Sequence, residues 1–171
     1  MRRIGFLLIV LALVAGCGDD DNPNSASSGP IIFNAQLLPA NEVPPITDAE
    51  GSGRGFVIIT FDVPRDSSGA VTGAGNATFE IQTSGFPNGT PAMAAHIHPG
   101  VAGTNGGVLV STLLTPADPI VMGSGNVSRT LTAPITQVQA ANIVASPGAF
   151  YFNVHTVLHG GGVMRGQLVR Q

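Results

Sequence analysis

Residues 150–156 read Phe150-Tyr151-Phe152-Asn153-Val154-His155-Thr156, an apolar, aromatic and β-branched run closed off by Gly148 before it and the glycines at 160–162 after it. Residues of this type suit a pleated, half-buried surface, so the run reads as a β-strand. Strand side chains alternate, which puts Tyr151, Asn153 and His155 on one face. Working outward, seven further short apolar or alternating runs occur at 31–38, 55–61, 77–81, 94–98, 108–114, 126–131 and 163–169, each bounded by Gly, Pro, Asn or Asp. That rhythm belongs to an all-β sandwich or barrel, and about eight strands suffice for two packed sheets. One segment, 134–145, has helical character: Pro134 suits a first helical turn, and Ile135, Val138, Ala141 and Val144 mark a narrow apolar face. It is expected to be a short connecting helix. No tandem repeat is visible.

The chain has 171 residues, 23 of them glycine and 13 proline, with one tyrosine and no tryptophan. This composition suits strands joined by tight turns. Arg2 and Arg3 precede an apolar run from Ile4 to Val14, too short to span a bilayer comfortably but the right length for a signal segment. The run ends in Val14-Ala15-Gly16-Cys17, which resembles the bacterial lipobox, and Cys17 is the only cysteine of the chain. The reading is therefore a signal peptide over 1–16, lipidation at Cys17, and anchoring to a membrane through the attached acyl chains. Each buried methylene contributes roughly 0.8 kcal/mol, so several chains anchor stably. Residues 17–30 are polar and rich in Gly, Ser and Pro, the composition of a flexible tether. The domain is 31–171. The expected location is the bacterial cell envelope, facing the periplasm or cell surface, with the outer membrane favoured over the inner in a Gram-negative cell. Asp19 to Asp21 read first as a solvated charge run and secondly resemble an acidic surface-export tag.

With Arg2 and Arg3 removed, five arginines face ten carboxylates and there is no lysine. Such a chain lacks the basic footprint that nucleic acid requires. The glycines at 100, 103, 106 and 107 carry no Walker pattern, so nucleotide binding is not expected either. No Gly-x-Ser-x-Gly elbow occurs and no nucleophilic cysteine is available, which removes the usual supports for covalent catalysis. The seven carboxylates beyond the tether show no spacing that marks an acid/base pair. The expectation is a protein that is not an enzyme.

All four histidines fall in two places, His96-Ile97-His98 and His155 to His159. On a strand His96 and His98 project from the same face. If the two strands are neighbours, His96, His98 and His155 offer three imidazoles, or four with His159, the donor set of copper or zinc. The alternative is a structural polar network of His96, His98, Asn153, His155 and Arg165 that needs no ligand.

Three ordered motifs, Asn41-Glu42-Val43-Pro44-Pro45, Ala95-His96-Ile97-His98, and Tyr151-Phe152-Asn153-Val154-His155-Thr156 followed by Gly-Gly-x-x-Arg-Gly-Gln-Leu at 161–168, resemble the CHRD domain, named for chordin. The resemblance covers nearly all of 31–171. It implies an immunoglobulin-like antiparallel β-sandwich with a distant likeness to copper/zinc superoxide dismutase. Its animal members act by binding proteins, so it implies a binding or structural module whose partner is an envelope or extracellular protein. The family's usual His-Pro-Gly-Gly-Glu-Ile-Arg-Gly stands here as His159-Gly160-Gly161-Gly162-Val163-Met164-Arg165-Gly166, without the proline and the carboxylate. No histidine lies between His98 and His155 to serve as a bridging ligand, so dismutase activity is not expected.

Overall fold

The computed structural model describes residues 29–171. Cys17, the signal segment and the tether up to Ser28 lie outside the described residues. The domain is an all-β sandwich of two antiparallel sheets with one α-helix. Its strands are β1 (Ile31–Leu37), β2 (Arg54–Asp62), β3 (Gly75–Ser84), β4 (Thr90–Pro99), β5 (Val110–Ser111), β6 (Ile120–Met122), β7 (Val127–Ile135), β8 (Phe150–Thr156), β9 (Met164–Gln167) and β10 (Val169–Arg170), with α1 (Gln137–Ala145) between β7 and β8. The first sheet runs β10-β1-β2-β3-β7; the second runs β5-β4-β8-β9, with β6 also paired to β4.

Period-2 alternation fixes which faces meet. In β1 every second residue is buried, giving Ile31, Phe33, Ala35 and Leu37 to the interior. Val57, Ile59 and Phe61 of β2 and Ala77, Phe79 and Ile81 of β3 join them. From the second sheet come Ala95 and Ile97 of β4 and Phe152 and Val154 of β8. The rings of Phe79 and Phe152 stack between the sheets, centroids 5.7 Å apart, and Phe33 packs on Phe61 at 5.0 Å. Such aromatic pairs add about 0.5–1.5 kcal/mol beyond the area they bury.

Several boundaries differ from the sequence expectation, each for a local reason. The structure has ten strands rather than about eight. The 108–114 run pairs only at Val110–Ser111, because Leu113 takes a left-handed backbone (φ 65°) and leaves the ladder. The β6 strand was not expected, being only three residues long. The 163–169 run divides at Leu168 into β9 and β10, one in each sheet. Pro134 does not start the helix: it is the penultimate residue of the edge strand β7, opposite Asn76, and an edge strand tolerates a residue without an N–H. The helix is instead started by Thr136, whose side chain accepts from the Gln139 amide while Gln139 reaches back to the Thr136 N–H.

At Gly166 the two sheets approach each other closely. It pairs with Phe152 in the second sheet, and a Cβ there would lie 2.0 Å from the Gln36 carbonyl oxygen of β1. Only a residue without a side chain lets β9 approach β1 so closely. Gly166→Ala is therefore expected to lower stability by roughly 2–3 kcal/mol, whereas Gly148→Ala, which meets nothing within 4 Å, is expected to stay within about 0.5 kcal/mol. Urea midpoints of the two variants check this; equal midpoints would contradict it.

Candidate functional site

Strand β8 is buried at all seven positions, on both faces. One face is the apolar interior already described. The other carries Tyr151, Asn153 and His155, flanked by His96 and His98 on β4 and Arg165 on β9. The register sets His96 beside Asn153, His98 beside Tyr151, and Asn153 beside Arg165. A bulge between Ala92 and Ala94 adjusts the phase of β4 ahead of the two histidines. This outer polar face is roofed by the segments 38–53 and 99–109, together with the 157–163 turn.

The roof is tied down by the site residues themselves. The Nε of Arg165 donates to the Asn41 carbonyl at 2.8 Å, and its Nη1 donates to the Thr104 carbonyl at 2.9 Å and Asn105 Oδ1 at 3.0 Å. The Tyr151 hydroxyl accepts from the Gly106 amide at 3.1 Å. Asn105 Nδ2 donates to the Val43 carbonyl at 3.1 Å, linking the two roof segments. Gly162 lies against Asn153 with φ 129°, and a Cβ at that position would fall 2.4 Å from the Asn153 side chain. The glycine-rich turn is thus needed for close approach.

Beneath this roof three imidazoles converge: one ring nitrogen from each of His96, His98 and His155 lies within 4.8 Å of the others. A carbonyl oxygen can only accept, so two of the tautomers follow from geometry. The Nδ1–H of His98 donates to the Gly106 carbonyl at 3.0 Å, and the Nδ1–H of His155 donates to the Gly160 carbonyl at 3.1 Å. In the neutral rings this leaves both Nε2 atoms with bare lone pairs. Since His155 Nε2 is an acceptor, the Nδ1–H of His96 donates to it at 3.2 Å. His98 Nε2 is buried and has no hydrogen-bond partner among the described residues.

Burial also keeps the rings neutral. His96 is pushed down to about 4, by desolvation first and then by the proximity of His155 and His98. His98 and His155 are lowered too, again by desolvation first; the Gly106, Gly107 and Gly160 carbonyls pull the other way, and Arg165 adds its repulsion at His98. Neutral imidazoles with tautomers fixed by a backing carbonyl, as at His98 and His155, are how proteins orient histidine ligands.

His159 is placed elsewhere. Its Nε2 lies 2.9 Å from Asp48 Oδ2 and 3.8 Å from Glu50 Oε2, and Glu50 in turn accepts from the Thr156 hydroxyl at 2.7 Å. The structure therefore brings together three of the four histidines and gives the fourth to the roof. Asn153 joins the network only loosely, donating to the Gly161 carbonyl at 3.4 Å with Oδ1 unpartnered.

A family model described as the CHRD domain matches residues 33–168. The chain belongs to the CHRD-domain family. No curated protein and no solved structure matches it. In this CHRD domain the three motifs read from the sequence meet at one place: the second supplies His96 and His98, the third supplies Tyr151, Asn153, His155 and Arg165, and the first forms part of the roof. Two residues that sequence reasoning left without a role belong to the site. Glu42, inside the first motif, is buried with its Oε2 3.4 Å from Arg165 Nε, and burial raises its carboxyl to about 7 against the pull of Arg165. Tyr151 stacks on His98, centroids 5.0 Å apart and planes 8° apart, and carries the Arg165 guanidinium 4.8 Å from its ring centre. The motif positions of both residues were the available signal.

The shift at His96 has a definite sign. As pH falls below the ordinary histidine value of 6.5, the unfolded chain takes up a proton that folded His96 refuses until about 4. Stability must therefore fall across that window. Glu42 works oppositely, since its raised carboxyl binds a proton more readily when folded. Comparing wild type with His96→Ala cancels the Glu42 contribution. Urea unfolding at pH 6.5 and 4.5 should show a steeper loss in wild type than in the variant; parallel losses would contradict the burial of a neutral ring.

Proposed function

We propose that this chain is a membrane-tethered binding module of the bacterial cell envelope, anchored through lipid at Cys17, whose domain holds one transition-metal ion, copper or zinc, without turning over a substrate. The observation that carries the metal is the buried, unpartnered Nε2 of His98 directed into a group of three imidazoles. An unsatisfied buried acceptor costs about 1–3 kcal/mol, and a cation bonded to the three rings relieves that cost. Regular coordination at about 2.0–2.1 Å brings donor nitrogens to roughly 3.3–3.5 Å of one another. The His96–His155 separation of 3.2 Å, spanned by a hydrogen bond, is close to that range, and the remaining donors would draw in from within 4.8 Å. Imidazole nitrogen suits copper and zinc. The lipobox and the polar segment that follows it support the tether.

A protein partner in the envelope or outside it is the second reading, supported by membership of a family whose domain is named for a secreted binding protein. The two readings are compatible, since the roof segments that cover the histidines form the adjoining surface.

For the metal, the full chain carrying Cys17→Ser, purified in mild detergent, is expected to bind about one copper or zinc ion. At a hundredfold excess over Kd the ion should stabilise it by about 2.7 kcal/mol. The His96→Ala/His98→Ala double variant should lose both effects. Equal binding by the variant, or none by either protein, would overturn the reading. For the anchor, Cys17→Ala should move the protein from the membrane fraction of a bacterial host to the soluble fraction; unchanged membrane retention would contradict lipidation at Cys17.

A further inference from the structure

We propose that the three-histidine site prefers monovalent copper to divalent ions and that Arg165 sets this preference. The inference rests on the metal-binding reading and names its ion. The donor group comprises three imidazoles and no carboxylate. An ion bound there brings its full charge into a buried place: His98 is 5% and His155 9% exposed. The cost of burying an ion grows with the square of its charge, so a dication with neutral ligands pays about four times the desolvation of a monocation.

The charges around the site increase that difference. Arg165 is 3% exposed, and its Nη2 is buried with no partner among the described residues. Its guanidinium sits 4.8 Å from the centre of the Tyr151 ring, which is stacked at 5.0 Å on His98. A desolvated positive charge at this range repels a bound dication twice as strongly as a monocation. The opposing charge is weak. Glu42 is the carboxylate on Arg165, and its raised carboxyl leaves it only part ionised near neutral pH. The other nearby acids, Asp48 and Glu50, face His159 and are not part of the three-histidine group. Coordination number is compatible: three nitrogen donors suffice for monovalent copper, whereas zinc on three histidines takes a water as fourth ligand.

The test is the midpoint potential of copper bound to the full chain carrying Cys17→Ser, by anaerobic titration, with zinc affinity measured in parallel. Tighter binding of the monovalent ion raises the potential above that of free aqueous copper. A hundredfold preference corresponds to about 120 mV, at 59 mV per tenfold for one electron. Arg165→Gln should lower the potential by about 60 mV, a tenfold loss of preference, while Arg165→Lys should keep most of it. A potential at or below that of aqueous copper, or zinc bound as tightly as monovalent copper, would overturn the preference while leaving the metal site standing. Binding of neither ion would overturn both. If Arg165→Gln does not fold, the wild-type potential and the copper-to-zinc comparison still decide.

Discussion

The structure depends on the burial of β8 on two chemically different faces. Towards the other sheet Phe152 and Val154 fill an ordinary apolar interior. Away from it Tyr151, Asn153 and His155 are equally buried, and polar groups removed from water must find partners. The roof answers this demand. Its backbone carbonyls at Gly106 and Gly160 receive the Nδ1–H groups of His98 and His155, and those at Asn41 and Thr104 receive the Arg165 guanidinium. The same hydrogen bonds that hold loops on the sheet thus orient the imidazoles. Fold and site are one arrangement, with Gly166 allowing the strand that carries Arg165 to close against β1.

Satisfaction is incomplete, and the pattern of what is left over is informative. Among the described residues His98 Nε2, Arg165 Nη2, Glu42 Oε1 and Asn153 Oδ1 are buried without partners on the one roofed face, while Thr83 Oγ1 is a further such atom on β3 of the other sheet. A polar network that served only to lock strands together would be expected to close its own hydrogen bonds. Here four of the gaps gather at or beside the three-histidine cluster. That concentration favours a site that receives something over one that merely holds itself together.

Much of the fold was legible because alternation is a strong signal. The runs at 31–38, 55–61 and 150–156 coincide closely with β1, β2 and β8. Short pairings were not legible. Ile120–Met122 is too brief for its period to register, and 108–114 looks like a strand although Leu113 turns out of the ladder. For the site, the spacing His96-x-His98 does predict a shared face, but the neighbourhood of β4 and β8 joins residues far apart in the chain. Asp48 and Glu50 showed no meaningful spacing, yet the fold gathers both at His159 and so removes that histidine from the cluster. Glu42 and Tyr151 matter through burial and stacking, properties a single sequence does not display.

The central claim is that His98 and His155 present Nε2 lone pairs, not protons, to the three-histidine cluster. Histidine side-chain nitrogen NMR of the metal-free protein near pH 7 measures this directly. The account predicts that both rings carry their proton on Nδ1, and that adding copper(I) or zinc shifts the Nε2 resonances of both together with Nδ1 of His96. Protons found on Nε2 of His98 and His155, unmoved by either ion, would contradict it.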